Sequence, residues 1–211
     1  TVTCDSGLGA EGDGIDSNGW IVVNGGYTIA CANGRSQDSG VDADRGIYVN
    51  GGTVLASGNM YDEVSADSQQ VFFVLNFAEV IEEGQLLMLK NSNDEPVAAF
   101  SAVNPFTTTV YSSDLLGEGD YTLYKVDSVE GELNGSVYTN IAGYEGEIQL
   151  QYSGTEMMGA GGFGGSGGGR GQMPGGMEKG EMPEGMELPE GGQLPEGMEL
   201  PEGGQLPEGM E

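Results

Sequence analysis

Between Gly12 and Ser57 one stretch of sequence is written twice, and this repeat limits the possible folds more than any other feature. The first copy reads GDGIDSNGWIVVNGGYTIAC and the second, 26 residues on, reads DSGVDADRGIYVNGGTVLAS. No gap is needed: Gly14 falls on Gly40, Asp16 on Asp42, Asn18 on Asp44, Ile21 on Ile47, Val23 on Val49, and Asn24-Gly25-Gly26 on Asn50-Gly51-Gly52. Repeats of this length mark stacked architectures, in which one unit cannot bury its apolar face alone. Each copy holds two short β-rich runs separated by Asn/Gly/Asp turns, with no helical period. The expectation is an all-β chain that starts as a short right-handed parallel β-helix of about two to three coils. Alternation points Ile21, Val23, Ile47 and Val49 into the coil and Trp20, Val22 and Tyr48 outward. Ile15 and Val41 also point in, whereas Tyr27–Ile29 and Thr53–Leu55 have no clear facing.

A different β region follows a polar connector over 58–70. Runs at 71–77, 85–90, 96–100, 107–111, 121–126, 136–138 and 147–152 are separated by turn residues, which suggests an antiparallel sheet or small sandwich. Its expected role is to cap the coils and cover their strand edges. After Gly154 the composition changes to a Gly-rich linker and then a hexapeptide repeat, LPEGME alternating with LPEGGQ. The expected organisation is therefore coils over 1–60, an antiparallel region over 61–153, a linker over 154–172 and an acidic repeat tail over 173–211. For the tail, two readings stay open: a disordered or polyproline-II chain, and a strip whose Met/Leu every six residues docks on a groove or another subunit. The chain begins directly on the strand-like Thr1-Val2-Thr3-Cys4, so the coils are expected to continue upstream in a longer protein.

Charge decides which partners are plausible. Six Lys+Arg against 34 Asp+Glu give a formal charge of −28, which argues against nucleic acid and anionic membranes. No apolar run is long enough to cross a membrane. With no His and only two Cys, the usual zinc, copper and haem ligand sets and every His-dependent triad are missing. Oxygen-liganded Ca²⁺ is the metal this composition suits. Stacking sets Asp16 over Asp42 and Asn18 over Asp44, with Asp13 and Asp38 beside them, and carboxylates this close repel unless they share a proton or a cation. Asp13, Asp16, Asn18, Asp38, Asp42 and Asp44 are the candidate ligands; as single residues, each is also an ordinary turn former. Asp42-x-Asp44-x-Gly46 resembles part of an EF-hand loop, but Val49 stands where the loop needs Glu.

Trp20, Tyr48 and Tyr27 are candidates for stacking on sugar rings, a role that outward aromatics share with protein contacts and with packing under a loop. Cys4 and Cys31 lie 27 apart, one more than the repeat, so a coil-to-coil disulfide and a pair of unbridged thiols both remain open. Catalysis has little support: a uronate lyase needs a base, and Arg45 adjoins Asp42 and Asp44, which are expected to pair with it.

The phrases GDGIDSNG, NGGYTIA, DSGVDADRGIYVNGGTVLASG and GDYTLYKVDSV, with RGQMPGG in the tail, resemble bacterial surface proteins of the carbohydrate-binding domain-containing family. The resemblance spans about residues 1–152. It implies a polysaccharide-lyase-like right-handed β-helix that binds calcium, is not an enzyme, and holds plant-type polysaccharide, including acidic pectin, outside the cell. It also implies that members assemble into surface fibres. The low number of coils, the scarcity of Arg and Lys and the acidic tail depart from the family pattern.

Overall fold

The computed structural model describes residues 1–3, 12–117 and 119–158, with the last five described through their backbone alone. Every regular element among them is a strand. The expectations for Cys4, for most of the linker and for the tail lie outside the described residues.

After a two-residue β1 (Val2–Thr3), the first copy supplies β2 (Ile15–Ser17) and β3 (Trp20–Cys31), and the second supplies β4 (Val41–Ala43) and β5 (Gly46–Gly58). β2 pairs with β4 and β3 with β5, both parallel, with Asp16 opposite Asp42, Ile21 opposite Ile47 and Val23 opposite Val49. The register slips at Asn24, which faces Gly51, and recovers at Tyr27, which faces Thr53. Asn-Gly-Gly causes this bend: Gly26 and Gly52 adopt φ of 77° and 81°, a region costly for residues with a Cβ. Before the bend the facing agrees with alternation. Ile47 and Val49 are buried, Ile15, Ile21 and Val23 pack against the same cluster, and Val22 is exposed.

Gly14 and Gly40 explain how the two runs of each copy close on one another. A Cβ on Gly40 would contact the Ser57 amide nitrogen and lie 2.5 Å from the Ala30 carbonyl oxygen and 2.6 Å from the Ala56 carbonyl carbon. One on Gly14 would lie 2.5 Å from the Gly40 oxygen and 2.8 Å from the Cys31 nitrogen. The obstacles are backbone atoms, of β3 and β5 for Gly40 and of Gly40 and β3 for Gly14, which no rotamer change can clear.

Among the described residues nine further strands follow: β6 (Phe72–Ile81), β7 (Leu86–Asn91), β8 (Pro96–Ser101), β9 (Phe106–Ser112), β10 (Tyr121–Val126), β11 (Ser128–Asn134), β12 (Val137–Glu145), β13 (Ile148–Gln149) and β14 (Tyr152–Met158). They complete two six-stranded sheets, β1-β3-β5-β9-β6-β14 and β11-β12-β8-β7-β10-β13, while β2-β4 stands as a two-stranded sheet. The first sheet is mixed: β9 lies antiparallel along Val54–Gly58 of β5, so the repeat and the later region share one sheet. Two outcomes differ from the sequence expectation. The exposed, polar β11 was not anticipated, and the run at 147–152 divides between β13 and β14, which belong to different sheets.

The facing left open after the bend has a simple cause. Ile29, Cys31 and Leu55 enter a cluster with Leu87, Leu89, Phe100 and Leu123 of the second sheet, while Ala30, Val54 and Ala56 enter a cluster with Val41, Ile47 and Val49. Both faces of the sheet are buried there, so polarity cannot alternate. A third cluster, around Met88, Ala99 and Val126, lies on β7, β8 and β10.

The segment read as a polar connector takes a more ordered form. Val64 bridges Ile47 in parallel, the Ser65 and Gln70 amides donate to the Ile47 and Val49 carbonyls, and the Val49 amide donates to Ser68 Oγ. These contacts run along the edge of β5 that β3 does not use. Ile47 and Val49 are more deeply buried than Ile21 and Val23 for this reason.

Candidate functional site

The carboxylates of the repeat fall into two groups. Asp13 and Asp38 serve the backbone of the neighbouring copy: Ser39 donates its amide (2.8 Å) and its hydroxyl (3.3 Å) to Asp13 Oδ1, and the Gly12 amide donates to Asp38 Oδ2 at 2.7 Å. Each of these bonds spans 26 residues and ties copy to copy. Asp16 and Asp42 differ, since the parallel register of β2 and β4 sets them opposite one another. Asn18 and Asp44 sit exposed in the following turns, which the Asp44 amide on the Ser17 carbonyl and the Arg45 amide on the Gly19 carbonyl hold in step.

Asp62 joins this group without any signal from the repeat. Its Oδ2 accepts the Ala43 amide at 3.0 Å, which brings its charge to Asp42. Burial pushes the Asp42 carboxyl above the ordinary aspartate range, and the charges of Asp62, Asp13, Asp16 and Asp44 push it the same way. The folded state therefore holds the Asp42 proton more tightly than the unfolded chain does. Stability linked to this group is present at acid pH and lost as pH rises through the raised value. Asp42→Asn should raise neutral-pH stability by up to about 1 kcal/mol, the usual scale for facing like charges in a sheet. Thermal denaturation from pH 4 to 7 checks this: the wild type should lose stability with rising pH, and the variant should lose less.

Among the described residues, no three His, Cys, Asp or Glu side chains form a ready ligand set for a metal. The donor chemistry nevertheless suits a hard cation: carboxylates in register, no competing nitrogen or sulfur, and a repulsion that a cation would relieve.

Beside this column runs an aromatic strip. Trp20 lies opposite Gly46, and Tyr48, opposite Val22, projects from the same side. A Cβ on Gly46 would only touch the Tyr48 ring, at 3.4 Å; it is the φ of 132° at this position that favours glycine. The Arg45 guanidinium sits 4.9 Å from the centre of the Trp20 ring. This corrects the expected pairing of Arg45 with Asp42 and Asp44: the register puts Arg45 beside Trp20, where a flat cation gains a ring face. Tyr27 is separated from the strip by the Asn24–Gly26 bend, and its hydroxyl accepts a long 3.5 Å bond from Asn134 Nδ2.

Cys31 is a free, buried thiol, and burial pushes its pKa up. Thr3 faces it in the register of β1 and β3, and its anticipated partner Cys4 lies outside the described residues.

Comparison with protein-family models, with curated proteins and with solved structures finds no match to this chain.

Proposed function

We propose that the two copies are successive coils of a short right-handed parallel β-helix, and that the protein is a non-catalytic, calcium-dependent polysaccharide binder at a bacterial surface. The observation that carries this reading is the register of Asp16 on Asp42 beside the outward strip of Trp20 and Tyr48. Calcium bound by Asp16 and Asp42, with Asp62 and water in support, removes the repulsion at Asp42 and leaves coordination positions for a ligand oxygen. A sugar ring stacks on Trp20 or Tyr48, and a uronate carboxylate completes the calcium shell. The composition supports this choice of metal, since no histidine offers a nitrogen ligand.

The test is a titration with polygalacturonate, in calcium and again in chelator. Binding in calcium that is lost in chelator is expected; no binding in either condition sinks the reading. A calcium-assisted extracellular fibre, assembled through coil ends and the tail, is the weaker alternative, because β9 and the 64–70 segment already lie along one edge of the second copy.

A further inference from the structure

Arg45 stands where the acidic column and the aromatic strip meet, on the turn that leads from Asp42 in β4 to Tyr48 in β5. The chain has six Lys and Arg, of which Arg170 and Lys179 lie outside the described residues. Lys90 and Lys125 belong to the second sheet and Arg35 to the loop after β3, so among the described residues Arg45 alone adjoins the strip. Its sequence neighbours Asp42 and Asp44 are acidic. Even so, the ion pairs among the described residues are those of Lys90, and none includes Arg45. The exposed guanidinium instead lies 4.9 Å from the centre of the Trp20 ring. Such stacking uses the flat face of the cation and leaves its in-plane N–H groups free for an anion. A guanidinium on the Trp20 face also stands where a sugar ring would stack, which leaves Tyr48 as the platform.

We infer that Arg45, held flat on Trp20, reads a second carboxylate of the glycan, so that the site takes successive uronates and not single acidic or neutral sugars. This rests on the polysaccharide reading and narrows its ligand. One carboxylate completes the calcium shell, a neighbouring one pairs with Arg45, and a ring stacks on Tyr48. Guanidinium and carboxylate meet through two parallel N–H···O bonds, and a planar fork already held in place loses little freedom when they form. Charge makes the pairing necessary. A chain of formal charge −28 repels a polyanion, and only a local positive charge offsets that repulsion. A neutral sugar would leave the Arg45 donors without an anion. Trp20 is a positioning residue here: without its ring, the guanidinium is free to turn to Asp42 or Asp44 and is lost to the glycan.

Calorimetric titration of the full chain tests this, with trigalacturonate in calcium and, separately, with calcium alone. Arg45→Gln should weaken trigalacturonate by about ten-fold or more, the scale of one charge-assisted hydrogen-bonded pair, and leave calcium affinity undiminished. Arg45→Lys, which keeps the charge and loses the fork, should weaken it by less. Arg35→Gln removes the same charge from an exposed position away from the strip and should bind as the wild type does. Trp20→Leu should lose as much as Arg45→Gln, and the double variant no more, with urea midpoints showing that each protein is folded. Equal trigalacturonate binding by the wild type and Arg45→Gln overturns the inference and leaves the calcium reading standing. A loss matched by an equal loss of calcium affinity overturns it too, since Arg45 would then act through the metal. Galacturonate binding as tightly as trigalacturonate would mean that one carboxylate suffices, against the inference. No binding by the wild type removes the polysaccharide reading and this inference with it.

Discussion

Gly40→Ala is expected to cost about 3 kcal/mol, the upper end of ordinary overpacking. The added carbon would sit against Ser57 N, Ala30 O and Ala56 C, three backbone atoms from two paired strands. Relief would require β3 and β5 to move together. They carry hydrogen bonds on one another and, at β5, on β9, so the displacement would spread through the first sheet. Against a typical total of about 5–15 kcal/mol, a loss of this size is a large fraction. Urea unfolding should show the midpoint falling sharply. Gly25→Ala is the control, since nothing lies within 4 Å of its added carbon, and its midpoint should move little. Equal effects of the two substitutions would mean that the close approach at Gly40 does not hold the copies together.

Lys90→Met should cost about 2 kcal/mol, through a different mechanism. Lys90 is 1% exposed, and its Nζ lies 2.6 Å from Glu147 and 3.1 Å from Asp94, with the rings of Tyr124 and Tyr144 at 4.8 and 4.9 Å. Burial alone would lower its pKa. Hydrogen bonds with Glu147, Tyr144 and Asp94, and the charge of Glu147, outweigh burial and hold the ammonium above the ordinary lysine range. A cation whose folded pKa is raised contributes fully below its unfolded value and loses that contribution only as pH rises through the folded one. The cost should therefore be the same at pH 6 and pH 9. Breaking a fully buried pair costs about 3–5 kcal/mol, but Asp94 is largely exposed and Glu147 partly so, and both regain water when the lysine is gone. The expected fall in Tm is roughly 4–8 °C for a domain of this size. Calorimetry at the two pH values checks both the size and its constancy. A loss confined to pH 6 would show that the ammonium is not held as described.

How far the sequence reached depended on what each signal encodes. The 26-residue repeat encodes pairing directly, so Asp16 on Asp42 and Ile21 on Ile47 followed from alignment alone. Facing followed wherever one side of a strand meets solvent, as at Val22 and Val23. It failed at Ile29 and Leu55 because the sheet there is covered on both sides, and an apolar run carries no alternation to read. Strand runs after Val71 were legible from turn residues, but the mixed sheet was not. The pairing of β9 with β5 joins Val54 to Ser112 across a distance in sequence that no local pattern spans. At the site, the Asp column came from the repeat, while Asp62 came from outside it and could be found only in three dimensions. Arg45 misled for a related reason: its sequence neighbours are acidic, but its guanidinium lies over the Trp20 ring of the other copy.

The proposed role of the Asp16–Asp42 register is to make a calcium-dependent polysaccharide surface. The most direct measurement is the polygalacturonate titration in calcium, run on the wild type, on the double variant Asp16→Asn/Asp42→Asn, and on the charge-matched control Glu82→Gln/Glu83→Gln. Glu82 and Glu83 are exposed after β6, away from the column, so the control removes the same charge without touching it. At least a ten-fold loss of calcium-dependent binding is expected in the Asp variant and none in the Glu control. Equal binding by all three proteins would contradict it.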